Sequence, residues 1–168
     1  YTAVFHWSTT RKGYSGALIL TREQPTEVKF GIDVTDVDEE GRVITVYYPS
    51  YVVIAPYVPC SGRQGDPRSK AKRLKFDADF NVHYKKVAAS GRGPVFVIGD
   101  LNVVNTQRDC SHLPLREKET TEQFFPSTSP WERRNFHTFC RENGLYDVWD
   151  QQNPPPKRGN TWHRHKRD

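Results

Sequence analysis

The sequence predicts an α/β fold, with strands and helices alternating in layers around one core. Three observations carry that expectation. Apolar, β-branched runs recur at Ala17–Thr21, Val43–Tyr48 and Tyr51–Val58. A further run, Val95-Phe-Val-Ile98, is continuous, as in a strand buried on both faces. Between and after these runs lie two stretches with helical spacing. At 168 residues the chain is long enough for one domain with a real core. Hydrophobic residues make up 35% and charged residues 27%, which excludes a disordered chain.

Taken in order, the elements have local reasons. Ala17–Thr21 leaves the turn-rich segment Lys12-Gly-Tyr-Ser-Gly16 as a short strand. Tyr48-Pro-Ser-Tyr51 interrupts the next two runs and predicts a hairpin-type connection. From about Ser69 to Ser90, Phe76, Phe80, Tyr84 and Val87 keep helical spacing, and Gly91 is a natural stop. Val95–Gly99 follows as a strand, with Gly99 giving backbone freedom where the strand leaves the sheet. A second helix opens on the capping box Ser129-Pro-Trp-Glu132, with proline at its first position. Phe136, Phe139 and Cys140 form its expected inward stripe, and Asn143-Gly144 ends it. Residues 153–168 begin Asn-Pro-Pro-Pro and read as a rigid connector opening a basic tail on a single domain spanning 1–168.

The formal net charge of +5 favours an anionic partner. Arg63, Arg68, Lys70, Lys72, Arg73 and Lys75 cluster in one segment, as a nucleic-acid face or simply a solvated one. Three widely spaced cysteines, Cys60, Cys110 and Cys140, do not form a disulfide framework and suit a reducing compartment. His137 with Cys140, and His163 with His165, lack the organised four-ligand spacing of a zinc site. No apolar stretch reaches membrane-spanning length.

The candidate site follows the Val95 strand. Asp100 and Asn102 stand two apart, so in extended geometry both side chains project the same way. A carboxylate and an amide at a strand's carboxyl end suit a hard cation and a phosphate. The same residues also suit an Asx-type turn.

Read together, Lys12-Gly-Tyr-Ser-Gly16, Glu40-Gly-Arg-Val-Ile44, Tyr57-Val-Pro59 with Gly62-Arg63, and Gly99-Asp-Leu-Asn-Val103 resemble the exonuclease III type of apurinic/apyrimidinic (AP) endonuclease. That type belongs to the endonuclease/exonuclease/phosphatase superfamily. The likeness runs from about Tyr1, with His6-Trp-Ser8, to about Trp162. Gly-Asp-Leu-Asn is shared across the superfamily; its combination with the first and third segments is specific to the AP-endonuclease branch. The resemblance implies a two-sheet α/β sandwich of the DNase I-like type. A Gln-Glu metal motif before Tyr1 and an Asp-His motif after Trp162 are expected in the parent protein. These residues are therefore expected to be a central portion, incomplete at both ends and inactive alone.

The resemblance also assigns roles. Asp100 matches an acid/base aspartate that also joins a metal site, and Asn102 matches a phosphate-binding residue with a metal role. Tyr57 matches a phosphate-facing tyrosine, although position alone favours a packed aromatic at a strand end. Gly13 and Tyr14 match a segment touching the DNA backbone, Arg63 an arginine reaching the duplex, and Trp162 the wall of an abasic pocket. Two departures stand out. Cys60 replaces the usual asparagine after Tyr-Val-Pro, and in the loop 106–112 only Asp109 fits the family's pattern. The implied activity is hydrolysis of the phosphodiester 5′ to an abasic site, with 3′-exonuclease or 3′-phosphodiesterase activity beside it. Magnesium is the implied cofactor, with manganese as a substitute. The implied partner is double-stranded DNA with abasic sites or blocked 3′ ends, bound by a monomer in the nucleus. The alternatives are an inactive DNA-binding or interaction module of the same fold, or another superfamily phosphodiesterase.

Overall fold

The structure is a computed structural model and describes residues 1–62, 66–106, 109 and 126–153. The chain divides into two compact units. One comprises Tyr1–Ser61 with Asp66–Asn102, and the other takes in the remainder.

The first unit is built on a four-stranded sheet. Its strands are β3 (Glu27–Phe30), β4 (Val43–Tyr47), β5 (Val52–Pro56) and β6 (Val95–Val97), hydrogen-bonded in that order. The first three are antiparallel, and Tyr48 N donates to Tyr51 O at 2.9 Å across the expected hairpin. β5 and β6 run parallel, joined by the long helix α2 (Pro67–Ala88). A separate antiparallel pair, β1 (Thr2–His6) with β2 (Ala17–Thr21), forms the second sheet.

β4 is the strand buried on both faces, with all five residues buried. Ile44 and Val46 face one side, where they pack with Val4, Ile19 and Val53 in the core between the sheets. Val43, Thr45 and Tyr47 alternate to the other side. There Thr45 Oγ1 meets His83 Nε2 of α2 at 2.9 Å. Phe76, Phe80, Tyr84 and Val87 of α2 are all buried, as their spacing predicts. The layers are thus sheet, sheet and helix, which is the expected α/β sandwich.

The expectation of burial on both faces fails for Val95–Ile98. Phe96 and Ile98 are 44% and 62% exposed, because β6 stands at the sheet edge among the described residues and only the Val95 and Val97 face turns inward. Gly99 serves a different purpose from the one its position first implies. Its φ is not positive; a Cβ there would overlap the carbonyl oxygen of Pro56 on the neighbouring strand. Gly99→Ala is therefore expected to cost about 2 kcal/mol through overpacking against backbone, read as a lower urea midpoint at unchanged slope.

Burial holds His83 below its usual pKa. A histidine whose folded pKa is depressed is kept neutral in the native state, so the unfolded chain binds the extra proton. Stability is expected to be full above pH 6.5, the ordinary histidine value, and to fall as pH drops below it. His83→Gln should flatten that dependence between about pH 5 and 6.5 in urea titrations.

In the second unit, α3 (Pro130–Glu142) begins at the predicted capping box, and α4 (Val148–Gln152) follows. The stripe of Phe136, Phe139 and Cys140 is only half-buried; the fully buried side chain of α3 is Glu132. Its carboxylate accepts from Ser127 N and Ser129 N, each at 3.0 Å, and from Ser129 Oγ at 2.5 Å. Asn105 joins the two helices, bonded to His137 at 2.7 Å and to Asp150 at 2.9 Å. Asp109 accepts from Thr106 N at 2.8 Å and so fixes its own loop. No helix among the described residues is long and apolar enough to cross a membrane.

Candidate phosphodiester site

The carboxyl ends of the two parallel strands bring the sequence-predicted residues together. Past the ladder, Tyr57 and Asp100 form an isolated parallel bridge, and Val58 N donates to Asp100 O at 2.9 Å. Paired positions on neighbouring strands present their side chains to the same face, so the phenol of Tyr57 and the carboxylate of Asp100 share one side.

Asp100 and Asn102 do not continue as a strand. Asn102 takes φ 44°, and its N–H donates to Asp100 Oδ1 at 3.0 Å, which is an Asx turn. The turn still places both side chains together. Asn102 Nδ2 donates to Val58 O at 2.8 Å and to Asp100 Oδ2 at 3.4 Å. Because Val58 O can only accept, the orientation of that amide is fixed. Asn102 therefore meets Asp100 as a hydrogen-bond donor. Its amide nitrogen can serve a phosphate oxygen only by releasing the longer of those bonds.

Arg73 ties the two segments from behind. Its side chain is 3% exposed, and Nη1 donates to Asn102 O at 2.8 Å and to Pro59 O at 3.4 Å, while Nε pairs with Asp77 at 2.8 Å. Within the basic cluster Arg73 is thus neither DNA-facing nor solvated but buried. Lys75 pairs with Asp79 at 2.7 Å and Lys72 with Glu40. Charges four residues apart on a helix satisfy one another before they reach a partner.

Gly13 and Tyr14 are brought to this region by residues that the sequence reading quoted but gave no role. Gly41 takes φ +65°, with Trp7 backbone 2.6 Å from where a Cβ would stand, so Arg42 leaves the turn in a fixed direction. The Arg42 guanidinium lies 5.0 Å from the ring centroid of Tyr57 and 5.6 Å from that of Tyr14. Arg11 stands 5.3 Å and Lys72 5.8 Å from the same Tyr14 ring. The Tyr14 oxygen receives Arg42 Nη2 at 3.2 Å and Lys72 Nζ at 3.5 Å, so its own proton is left to point elsewhere. Burial pushes the Glu40 carboxyl up, but hydrogen bonds and charge from Lys72 and Arg42 outweigh it and hold it below the usual range.

A cleft of about 320 Å³ opens beside this network rather than at Asp100. Asp36, Glu39 and Glu40 line it together with Arg42, Lys72 and Lys75, so its wall carries both signs of charge in equal number. Arg63 and Trp162 lie outside the described residues. Cys60 is exposed.

The donor set bears on the metal. Among the described residues, no group of three or more His, Cys, Asp and Glu side chains is placed to hold an ion. Asp100 is exposed and offers one carboxylate. Magnesium is commonly held by one or two carboxylates, the rest of its shell being phosphate oxygens and water, and Asp100 fits such a position.

Two sheets pack face to face, and tyrosine, aspartate and asparagine gather where the parallel strands end. The chain belongs to the Endonuclease/Exonuclease/phosphatase family, whose family model matches residues 1–166. Within it, the chain is similar to the DNA-(apurinic or apyrimidinic site) endonuclease of Dictyostelium discoideum, 33% identical over 144 residues, covering 86% of this chain and 37% of that protein. It is 31% identical over 147 residues to the DNA repair nuclease APEX1 of Danio rerio, covering 88% of this chain and 44% of that one. An AP endonuclease structure from Archaeoglobus fulgidus superposes with a TM-score of 0.74 at 27% identity, covering 94% of this chain and 56% of that chain. The likeness to AP endonucleases expected from the motifs is borne out, and so is the DNase I-like fold. The chain spans 37% and 44% of the two curated relatives it matches.

Proposed function

We propose that the intact protein is a magnesium-dependent AP endonuclease that hydrolyses the phosphodiester 5′ to an abasic site. The observation that carries this is the Tyr57–Asp100 bridge with Asn102 folded onto the same carboxylate. Such hydrolysis needs a proton acceptor near the attacking water and donors where negative charge develops on phosphate. The exposed Asp100 carboxylate serves as the acid/base group, and Asn102 Nδ2 and the Tyr57 hydroxyl serve as donors. Asp100 would hold a magnesium ion, which when bound would supply charge neutralisation of the phosphate oxygens. Gly13, exposed at the turn, and the half-buried Tyr14 contact the backbone beside the site. Trimming of blocked 3′ ends uses the same groups. The protein acts as a monomer on double-stranded DNA in the nucleus.

The test is incubation of the intact protein with an abasic duplex, with an undamaged duplex and with a 3′-phosphate duplex, in magnesium, manganese and EDTA. Incision only of the abasic strand, restored by magnesium or manganese and abolished by EDTA, is the expected result. Binding of the abasic duplex without any incision would identify an inactive binding module. Release of phosphate without incision would identify a 3′-phosphatase.

A further inference from the structure

Arg42 and Arg73 are the buried arginines at the site among the described residues. The Arg42 side chain is 5% exposed, although the residue immediately precedes the apolar strand β4. All three guanidinium nitrogens have partners inside the unit. Nε donates to Glu40 Oε2 at 2.5 Å, Nη1 to Tyr57 O at 3.0 Å and Nη2 to Tyr14 Oη at 3.2 Å. Arg42 O in turn accepts from Tyr57 N at 2.7 Å, so residues 42 and 57 are joined in both directions. The guanidinium also lies near both tyrosine rings. Glu40 is held from its other oxygen by Lys72 of α2.

Removing a charge from water costs more than an ion pair usually returns, so a buried pair is poor evidence of stabilisation for its own sake. With three of its five N–H donors engaged and its side chain buried, the guanidinium is also badly placed to take a phosphate. What the planar fork does supply is direction, since three bonds in one plane fix the groups they reach. By contrast, the Tyr57 hydroxyl makes no hydrogen bond to a described residue, so among the described residues the ring is held from its base rather than from its phenol end. The orientation of that ring is set from its base, where Arg42 sits.

We propose that Arg42, locked by Glu40, is a positioning residue: it orients Tyr57 toward the phosphate site and Tyr14 toward the adjacent backbone contact, coupling the two tyrosines. The inference rests on the phosphodiesterase reading of the Asp100 site. Arg42 itself touches no substrate. A lysine keeps the charge but cannot span Glu40, the Tyr57 carbonyl and the Tyr14 hydroxyl together, so Arg42→Lys does not rescue the function.

Two measurements on the intact protein test this, and the first is independent of activity. With ring-labelled tyrosine, Arg42→Lys should shift or broaden the NMR signals of Tyr57 and Tyr14 and leave those of Tyr48 and Tyr84 in place. Glu40→Gln, which loosens the lock without removing the fork, should move the same two signals less. Unchanged Tyr57 and Tyr14 signals overturn the proposal whether or not abasic DNA is cut. The second is a double-mutant cycle on whichever phosphoester the protein hydrolyses. Arg42→Lys alone should lower kcat by roughly 30-fold with KM nearly constant, and in a Tyr57→Phe background by less than about threefold. Fully additive losses, or a change confined to KM, would mean that Arg42 acts on the substrate directly and would overturn it. Should Arg42→Lys fail to fold, Glu40→Gln carries both measurements with smaller effects in the same direction.

Discussion

Asp100→Asn in the intact protein is expected to lower the rate of strand incision roughly a thousandfold while abasic-duplex binding stays within about threefold. Asparagine keeps the shape of the side chain and loses the negative charge and the ability to take up a proton. The substitution keeps the turn and gives up one long contact, since its amide nitrogen would stand where Oδ2 accepts from Asn102 Nδ2 at 3.4 Å. Asp100 holds its turn through Oδ1, which accepts from Asn102 N, and an amide oxygen accepts equally well in an Asx turn. The backbone bond from Val58 N to Asp100 O does not involve the side chain. The fold is therefore expected to survive, and single-turnover incision assays beside binding titrations separate chemistry from recognition. A loss below about tenfold would remove Asp100 from the acid/base role.

The largest expected loss of stability comes from Glu132→Ala. Glu132 is fully buried, and its two oxygens satisfy Ser127 N, Ser129 N and Ser129 Oγ at the start of α3. Alanine leaves two backbone N–H groups without their acceptor in a site that excludes water, at about 1–3 kcal/mol each. With the capping box gone as well, the expected cost is about 4 kcal/mol. Glu132→Gln keeps one amide oxygen as an acceptor and should lose about half as much. Urea unfolding of the three proteins gives the ranking directly. Equal midpoints for wild type and alanine would show that Glu132 does not hold α3 in place.

Much of the fold was legible because its elements announce themselves locally. Ala17–Thr21 is recovered residue for residue, and the spacing of Phe76, Phe80, Tyr84 and Val87 predicts the buried face of α2. The start of α2 was set two residues late. Asp66 is its N-cap, accepting from Arg68 N at 3.0 Å, and Pro67 occupies the first turn. Four short elements gave no usable signal: β1, β3, α1 (Thr35–Glu39) and α4. β3 has only four residues, Glu-Val-Lys-Phe, and becomes a strand by pairing with β4. Five residues with two acids in the first turn make α1 too short for periodicity to appear. Burial was misassigned between Val95–Ile98 and β4 because composition records hydrophobicity, whereas position in the sheet order decides what is covered.

At the site, Asp100, Asn102 and Tyr57 were legible from their motifs. The network behind them was not. Arg42 appeared only as a letter within Glu-Gly-Arg-Val-Ile, and Lys72 only as one charge in a basic run. Their partners lie far along the chain, Tyr14 for Arg42 and Glu40 for Lys72, and no local pattern joins such pairs. A charged residue set directly against an apolar strand was the one available sign. It marks a charge that must find a partner when the strand is buried.

The parallel pairing of β5 with β6 sets the order in which this molecule gains its chemistry. β3, β4 and β5 follow one another as a meander, and such neighbours meet quickly after collapse because little chain must be closed into loops. β6 cannot join until the whole of α2 has formed and crossed back over the sheet, the slower kind of contact in small domains. Asp100 and Asn102 ride on the end of that late strand, while Tyr57 and Arg42 belong to the early meander. Asp100 and Asn102 are thus delivered last, to a Tyr57 already in place. During refolding, catalytic competence should lag behind the recovery of secondary structure. A partly folded chain would hold Tyr57 and Arg42 in place and still lack Asp100 and Asn102 beside them.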